Sequence, residues 1–132
     1  MHPADKGTLT ELLLATRLLE TGYSVSKPFG DNQRYDLILD DNGSLLRVQC
    51  KTARLRNGVV VFNTRSSSKF TNNGKDRHYR GEIELFGVYC PDNQGYYLVP
   101  VDTVGVHNGC LRVAAPKNNQ TSKIRLAADF AI

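Results

Sequence analysis

Asp36, Gln49 and Lys51 bring a carboxylate, an amide oxygen and an ammonium into the run Tyr35-Asp-Leu-Ile-Leu-Asp-Asp-Asn-Gly-Ser-Leu-Leu-Arg-Val-Gln-Cys-Lys51. Asn42-Gly43 between alternating segments is the strongest short-range hairpin signal, because a type I′ turn needs φ > 0 at both central residues. With that turn, strands 35–41 and 44–52 pair so that Leu39 meets Leu46 and Leu37 meets Val48, which makes one apolar face. Asp36 then lies opposite Gln49 on the other face, with Lys51 two residues further along it. Directly opposed Cβ atoms are roughly 4.5–5.5 Å apart and diagonal ones roughly 7–8 Å, so the three groups converge. Phosphodiester hydrolysis asks for a hard cation held by oxygen ligands with open positions. Asp36 offers a carboxylate, Gln49 an amide oxygen and Cys50 its backbone carbonyl, while Lys51 could lower the pKa of an attacking water or balance charge developing on phosphate. Taken alone, the same spacing also reads as the solvated face of an amphipathic hairpin.

The elements that must position these groups begin with a helix over Thr8 to Thr21. Thr8 is its expected N-cap, Glu11 closes a capping box, and Gly22 is placed as the C′ residue. Leu9, Leu12, Leu13 and Leu19 share one side of this helix, while Leu14 and Leu18 lie nearly opposite. A helix apolar almost all round is buried on more than one side, which in so short a chain suggests a subunit interface. Glu11 falls on the side of Leu14, Ala15 and Leu18, so it is either a capping residue or a fourth member of the site, reaching a metal through water. Tyr23–Lys27 reads as a first strand, Pro28–Arg34 as a polar turn, and Val59–Asn63 as a continuation of the sheet after the Asn57-Gly58 turn. Ile83–Cys90 and Tyr96–Val101 form a second hairpin, and Val104–His107 and Cys110–Val113 a third across Asn108-Gly109. Lys117–Ser122 is a polar linker, and Lys123–Ile132 an alternating tail that pairs or docks. One helix followed by a sheet predicts an α/β (α+β) class.

At 132 residues the chain is expected to form one domain, residues 1–132, and its 23% charged and 40% hydrophobic residues are ordinarily globular. No 18-residue apolar run indicates a membrane span, and Glu11, Arg17 and Glu20 interrupt anything resembling a secretory signal. Cys50, Cys90 and Cys110 are odd in number and lack a CxxC spacing, which argues for three buried thiols in a reducing, cytoplasmic compartment. His2, His78 and His107 suggest no Ser-His-Asp or Cys-His arrangement, and there is no Walker loop or GxGxxG. The net charge of +4 is unevenly spread. Lys51 to Arg80 holds eight basic residues against Asp76 alone, a net +7, whereas the remainder is net −3. A basic middle on an acidic remainder is an electrostatic footprint for a polyanion.

Helix Glu11, strand Asp36 and Gln49-x-Lys51, followed by a basic strand, resemble the PD-(D/E)xK nuclease superfamily. "RYDLILDDNGSLLRVQCKTARLRNG" together with "GYYLVPVD" is similar to its small homing endonucleases associated with group I introns. The resemblance covers roughly residues 7–102. Two positions depart from the pattern: Tyr35 stands where Pro is usual, and Gln49 replaces the Glu of ExK, removing one negative charge. The resemblance implies a restriction-endonuclease-like core with a mixed, mostly antiparallel sheet. It assigns catalysis to Glu11, Asp36, Gln49 and Lys51, and metal binding to Asp36, Gln49, the Cys50 carbonyl and Glu11 via water. Mg²⁺ is the implied cofactor, with Mn²⁺ as a substitute. The implied activity is site-specific double-strand cleavage of DNA at a long pseudopalindromic target by a homo-oligomer, a dimer or tetramer. A loop at 64–80 is the expected reader, and DNA contacts fall to Arg54, Arg56, Arg65, Lys69, Asn72, Asn73, Lys75, Arg77 and Arg80. A structure-selective, junction-resolvase-like nuclease and a catalytically inert DNA- or RNA-binding domain are the alternatives, the second kept open by Gln49.

Overall fold

The computed structural model describes residues 1–30, 32–66, 77–114 and 124–132. Its helix, Pro3–Glu20 (α1), starts five residues earlier than the capping box suggests. Pro3 lacks the N–H that a first helical turn would leave unpaired, and His2 Nδ1 accepts the Ala4 N–H at 3.1 Å. Thr8 is therefore inside the helix, its hydroxyl donating back to the Ala4 carbonyl, and Glu11 is released from capping. Gly22 does close the helix, at φ +96°. Its N–H bonds Leu19 and the Tyr23 N–H bonds Leu18, which is a Schellman ending.

Five strands form the main sheet: Ser24–Ser26 (β1), Leu37–Asp41 (β2), Ser44–Thr52 (β3), Leu85–Cys90 (β8) and Gly95–Pro100 (β9), in the order β1-β2-β3-β8-β9. Only β3 and β8 run parallel; every other neighbouring pair is antiparallel. Asn42 and Gly43 have φ of +51° and +93°, and the register expected from that turn holds, with Leu39 on Leu46 and Leu37 on Val48. Arg54–Arg56 (β4), Val59–Asn63 (β5) and Asn108–Arg112 (β10) make a second sheet, ordered β10-β5-β4. Arg65–Ser66 (β6) and Arg77–His78 (β7) form a small ribbon.

The main sheet is covered on both faces. On one, Leu18 of α1 meets Leu37, Leu39 and Val48, and Leu14, like Leu18 fully buried, faces Gly87. Gly87 makes this approach possible, since a Cβ there would lie 3.0 Å from Val48 and 3.5 Å from Leu14. On the other, Phe86, Val88 and Val99 pack against Val60, Phe62 and Leu111 of the second sheet. The Phe86 ring stands edge-on to Phe62 at 5.7 Å and to Tyr79 at 5.6 Å. C-terminal residues close two sheet edges: Leu98 N–H bonds Phe130 and Ile132 N–H bonds Tyr96 beside β9, while Arg112 N–H bonds Arg125 beside β10.

Three further expectations are corrected. Val59–Asn63 belongs to the second sheet, with β4, and does not extend the first. Asn108-Gly109 opens β10 and is not a turn, and 104–107 is not its partner strand; Gly109 pairs with Phe62, whose ring passes where a Cβ would sit. Glycine here serves a close approach, not a reversal. Of the three thiols only Cys90 is buried; Cys50 is half-buried and Cys110 is exposed on the outer face of β10. The 117–122 linker lies outside the described residues.

Candidate active site

The ladder between β2 and β3 ends at Leu37 and Val48, two residues short of the expected strand start at Tyr35. Asp36 still donates its N–H to the Val48 carbonyl at 2.8 Å. At the next rung its side chain replaces backbone: Oδ2 accepts the Cys50 N–H at 3.0 Å. The carboxylate is thus held in the fork where the two strands part. Successive residues of a strand turn their backbone groups to opposite edges, with the N–H and C=O of one residue on the same edge. The Cys50 carbonyl therefore shares the Asp36 edge, while Gln49 and Lys51 turn their backbones toward β8. Burial raises the Asp36 pKa, the Cys50 N–H opposes that shift, and Glu11 reinforces it.

Lys51 is half-buried on the face covered by the second sheet. Its Nζ donates to the Arg65 carbonyl at 3.1 Å and lies 5.0 Å from the Tyr79 ring centroid. Burial lowers its pKa from 10.5 to about 8; Asp36 works against that shift and Arg34 adds to it. Gln49 is half-buried, and its side chain has no hydrogen-bond partner among the described residues. Glu11 approaches from α1 and is ion-paired with Lys27. Burial pushes the Cys50 thiol well above its ordinary range, so it stays neutral and offers no thiolate.

Arg34 and Tyr79 are the residues whose part at the site the sequence did not reveal. The Arg34 guanidinium lies 4.0 Å over the Tyr79 ring, bonds Glu82 at 3.1 Å, and donates to the carbonyls of Arg77 and His78. It also reaches Ser66 Oγ, so one side chain ties β6 and β7 to the fork. The available signal was the position of Arg34 two residues before Asp36, in a segment that otherwise read as a polar turn.

The expected DNA-contacting residues separate into three groups. Arg54 and Arg56 are exposed on β4. Arg65 turns its carbonyl to Lys51, Arg77 pairs with Glu82 at 2.7 Å, and Arg80 donates to the Val104 carbonyl at 2.8 Å. Lys69, Asn72, Asn73 and Lys75 lie outside the described residues.

Among the described residues, no three His, Cys, Asp or Glu side chains gather as a metal site. A cation in the fork would rest on the Asp36 carboxylate, the Gln49 amide oxygen and the Cys50 carbonyl. That all-oxygen set suits a hard ion such as Mg²⁺ and offers nothing to a thiophilic one.

A helix on one face of a mixed sheet, with a carboxylate, an amide and a half-buried lysine at a strand fork, is the arrangement of a nuclease. The sequence matches the PD-(D/E)XK endonuclease family over residues 1–132, and the chain belongs to that family. Among solved structures it is similar to the bacterial homing endonuclease I-Ssp6803I, with a TM-score of 0.74 and 25% identity over 99% of this chain and 89% of that one. A second, more distant likeness is to the Holliday junction resolvase Hjc of Archaeoglobus fulgidus, with a TM-score of 0.48 and 16% identity over 81% of this chain and 84% of that one. No curated protein matches the sequence. The fold is the restriction-endonuclease-like one, the chain is an endonuclease, and DNA is its substrate. Nucleases of this family generally use divalent metals.

Proposed function

We propose that this chain is a Mg²⁺-dependent, site-specific endonuclease of homing type, working as a single domain with Glu11, Asp36, Gln49 and Lys51 at its active site. The observation that carries this reading is the fork itself, where Asp36 takes the Cys50 N–H beside the Gln49 amide and the half-buried Lys51. Asp36, Gln49 and the Cys50 carbonyl would hold the cation, which supplies polarisation of the scissile phosphate and a lower pKa for water. The Cys50 N–H fixes the Asp36 carboxylate before substrate arrives. Lys51, protonated, faces charge that develops on the phosphate, and its partly desolvated position makes that interaction stronger than it would be in water. Glu11, once parted from Lys27, orients the attacking water by accepting its proton at a carboxylate oxygen. Gln49 keeps an oxygen ligand and gives up a charge, so the site would hold fewer or more weakly bound ions than an all-carboxylate one.

One such site cuts one strand, and double-strand cleavage therefore calls for at least two copies. The outer side of α1 supports this: Leu9, Leu12 and Leu19 are 42%, 61% and 58% exposed, although Leu14 and Leu18 fill the core. We assign this leucine side to a homo-oligomeric contact, in a dimer or tetramer that meets a pseudopalindromic target.

Incubation of genomic-fragment plasmids and four-way junctions with Mg²⁺ tests the reading. Cutting at one locus is expected. Cutting only at branches would convert the assignment to a structure-selective nuclease, and binding without cutting would make the chain an inert binder. Light scattering that gives a monomer at all concentrations would remove the oligomer.

A further inference from the structure

The outer face of the β4–β5–β10 sheet carries a pattern that the fork does not use. Alternation turns Arg54 and Arg56 of β4 outward while Leu55 packs inward. β5 sends Val60 and Phe62 into the core and leaves Val59, Val61 and Asn63 outside. On β10, Gly109 and Leu111 face in and Asn108, Cys110 and Arg112 face out. The register lines these up across the sheet: Arg54, Val61 and Cys110 in one row, Arg56, Val59 and Arg112 in the next, and Asn63 beside Asn108 at the end. Arg125 flanks β10, its carbonyl accepting the Arg112 N–H at 2.8 Å, and it shares a pocket with Val59, Cys110 and Arg112.

Cations thus stand on both sides of a small apolar strip. None of the outward positions on these strands is acidic. Asp92 reaches only the margin of β4, where its Oδ2 accepts the Leu55 N–H at 2.8 Å. No ion pair involves Arg54, Arg56, Arg112 or Arg125 among the described residues, whereas Arg34, Arg47 and Arg77 are all paired with glutamates. The face is also continuous with the fork. Thr52 and Arg54 line one groove of about 460 Å³ with Phe62, Asn63 and Asn108. From Lys51 to Arg54 is three residues, roughly 10 Å of strand.

We propose that this face is a second duplex-contact surface, separate from the scissile phosphate, with β5 along the major groove and arginines of the flanking segments on its two walls. The groove is about 12 Å wide and admits no more than a two-stranded β-ribbon, so the outward side chains of β5 would enter it while β4 and β10 stay at its rims. Strands about 4.8 Å apart put β4 and β10 roughly 10 Å from each other, so their arginines reach opposite phosphate rows. Val59, Val61 and Cys110 suit thymine methyl groups, and the exposed Asn108 amide suits adenine. The inference rests on the endonuclease reading and adds Arg112, Arg125, Asn108 and Cys110 to the DNA interface.

Anisotropy of a labelled duplex of mixed sequence, measured without divalent metal, tests it. Each lost phosphate contact lowers the log–log salt slope by about 0.9, so Arg112→Ala with Arg125→Ala is expected to lower it by about 2 and all four arginine substitutions by about 3–4. Unchanged affinity and slope in the fourfold variant overturns the proposal. Cys110, the exposed thiol of the three, gives a second measurement on the wild-type chain. Saturating duplex should slow its reaction with a maleimide several-fold, and an unchanged rate overturns the proposal even if the arginine variants fold poorly. Lys51→Met separates this from the active-site reading. A Lys51→Met chain that still cleaves sinks the site and leaves the face, whereas unprotected Cys110 sinks the face and leaves the site.

Discussion

The fork and the outer face of the second sheet both carry basic side chains, but they hold them in opposite ways. At the fork the cations are engaged within the protein: Lys51 with the Arg65 carbonyl, and Arg34 with Glu82 and two carbonyls. Lys51 is desolvated enough that its pKa falls to about 8. On the outer face, Arg54, Arg56 and Arg125 extend into solvent. A charge that must act on one phosphate oxygen gains from being fixed and partly dry, because it then needs no reorganisation during reaction. A charge that must hold a long polyanion gains little from fixation, since its free energy comes largely from released counterions. Under the proposed assignment, the two regions divide chemistry from grip.

The sharpest way to break that division is at the fork. Asp36→Asn and Lys51→Met are each expected to lower the single-turnover cleavage rate by on the order of 10²–10³, the scale of losing one preorganised electrostatic partner. Duplex affinity should change little, because neither residue belongs to the exposed cationic face. Parallel rate and anisotropy measurements check this. A large loss of affinity in either variant would mean that the fork also supplies the grip.

The pH profile distinguishes a fixed charge from an exposed one. If Lys51 acts as an ammonium, cleavage should fall as pH rises through about 8, approaching tenfold per unit. Lys51→Arg, which stays protonated throughout that range, should be slower but lose the alkaline limb. Stability moves the other way. The folded pKa is below the ordinary 10.5, so between about 8 and 10.5 the unfolded chain binds more protons. The Lys51 contribution to stability therefore rises with pH across that window. Activity and stability that fell together there would show the loss to be unfolding and not chemistry.

Gly109→Ala probes the outer face without touching a charge. A Cβ at that position would lie 2.3 Å from the Phe62 ring, so the ring or β10 must shift. Overpacking of this kind costs about 1–3 kcal/mol, measurable by urea denaturation. Duplex binding should weaken with it, since β10 carries Asn108, Cys110 and Arg112 in register with β5. Unchanged stability would mean that Phe62 has room to move and that the face tolerates it.

How much of this was legible beforehand follows from the range of each signal. The β2–β3 hairpin was readable because Asn42-Gly43 fixes a turn and the apolar alternation fixes a register, both local. The same dipeptide logic failed at Asn108-Gly109, where the cause of the glycine is Phe62, far away in sequence but directly opposite in space. The helix start failed for a different reason: Thr8 with Glu11 satisfies a capping pattern, but Pro3 offers an earlier beginning. Asp36, Gln49 and Lys51 could be grouped from strand pairing. Arg34 and Tyr79 could not, because their contact spans 45 positions and depends on β6 and β7 folding back. The arginines of the outer face were invisible as a group, since Arg112 and Arg125 lie outside the basic 51–80 segment and join Arg54 and Arg56 only across the sheet.

The smallest effect is expected at the border between the two kinds of charge. Glu11 is assigned to the proposed site, but its partner Lys27 has a side chain 65% exposed. An exposed pair contributes roughly 0–1 kcal/mol, so Lys27→Ala should leave the urea midpoint almost unchanged. It should still alter the fork, because Lys27 is among the charges that hold the Asp36 pKa down, while burial and Glu11 raise it. Without Lys27, an NMR titration of metal-free protein should find Asp36 protonating at higher pH than in the wild type. Added Mg²⁺ should erase the difference if Asp36 binds it, since the cation favours the carboxylate far more than a solvated ammonium does. A difference that persists at saturating Mg²⁺ would place the ion away from Asp36, and the division between fixed and exposed charge would then have to be redrawn around Glu11.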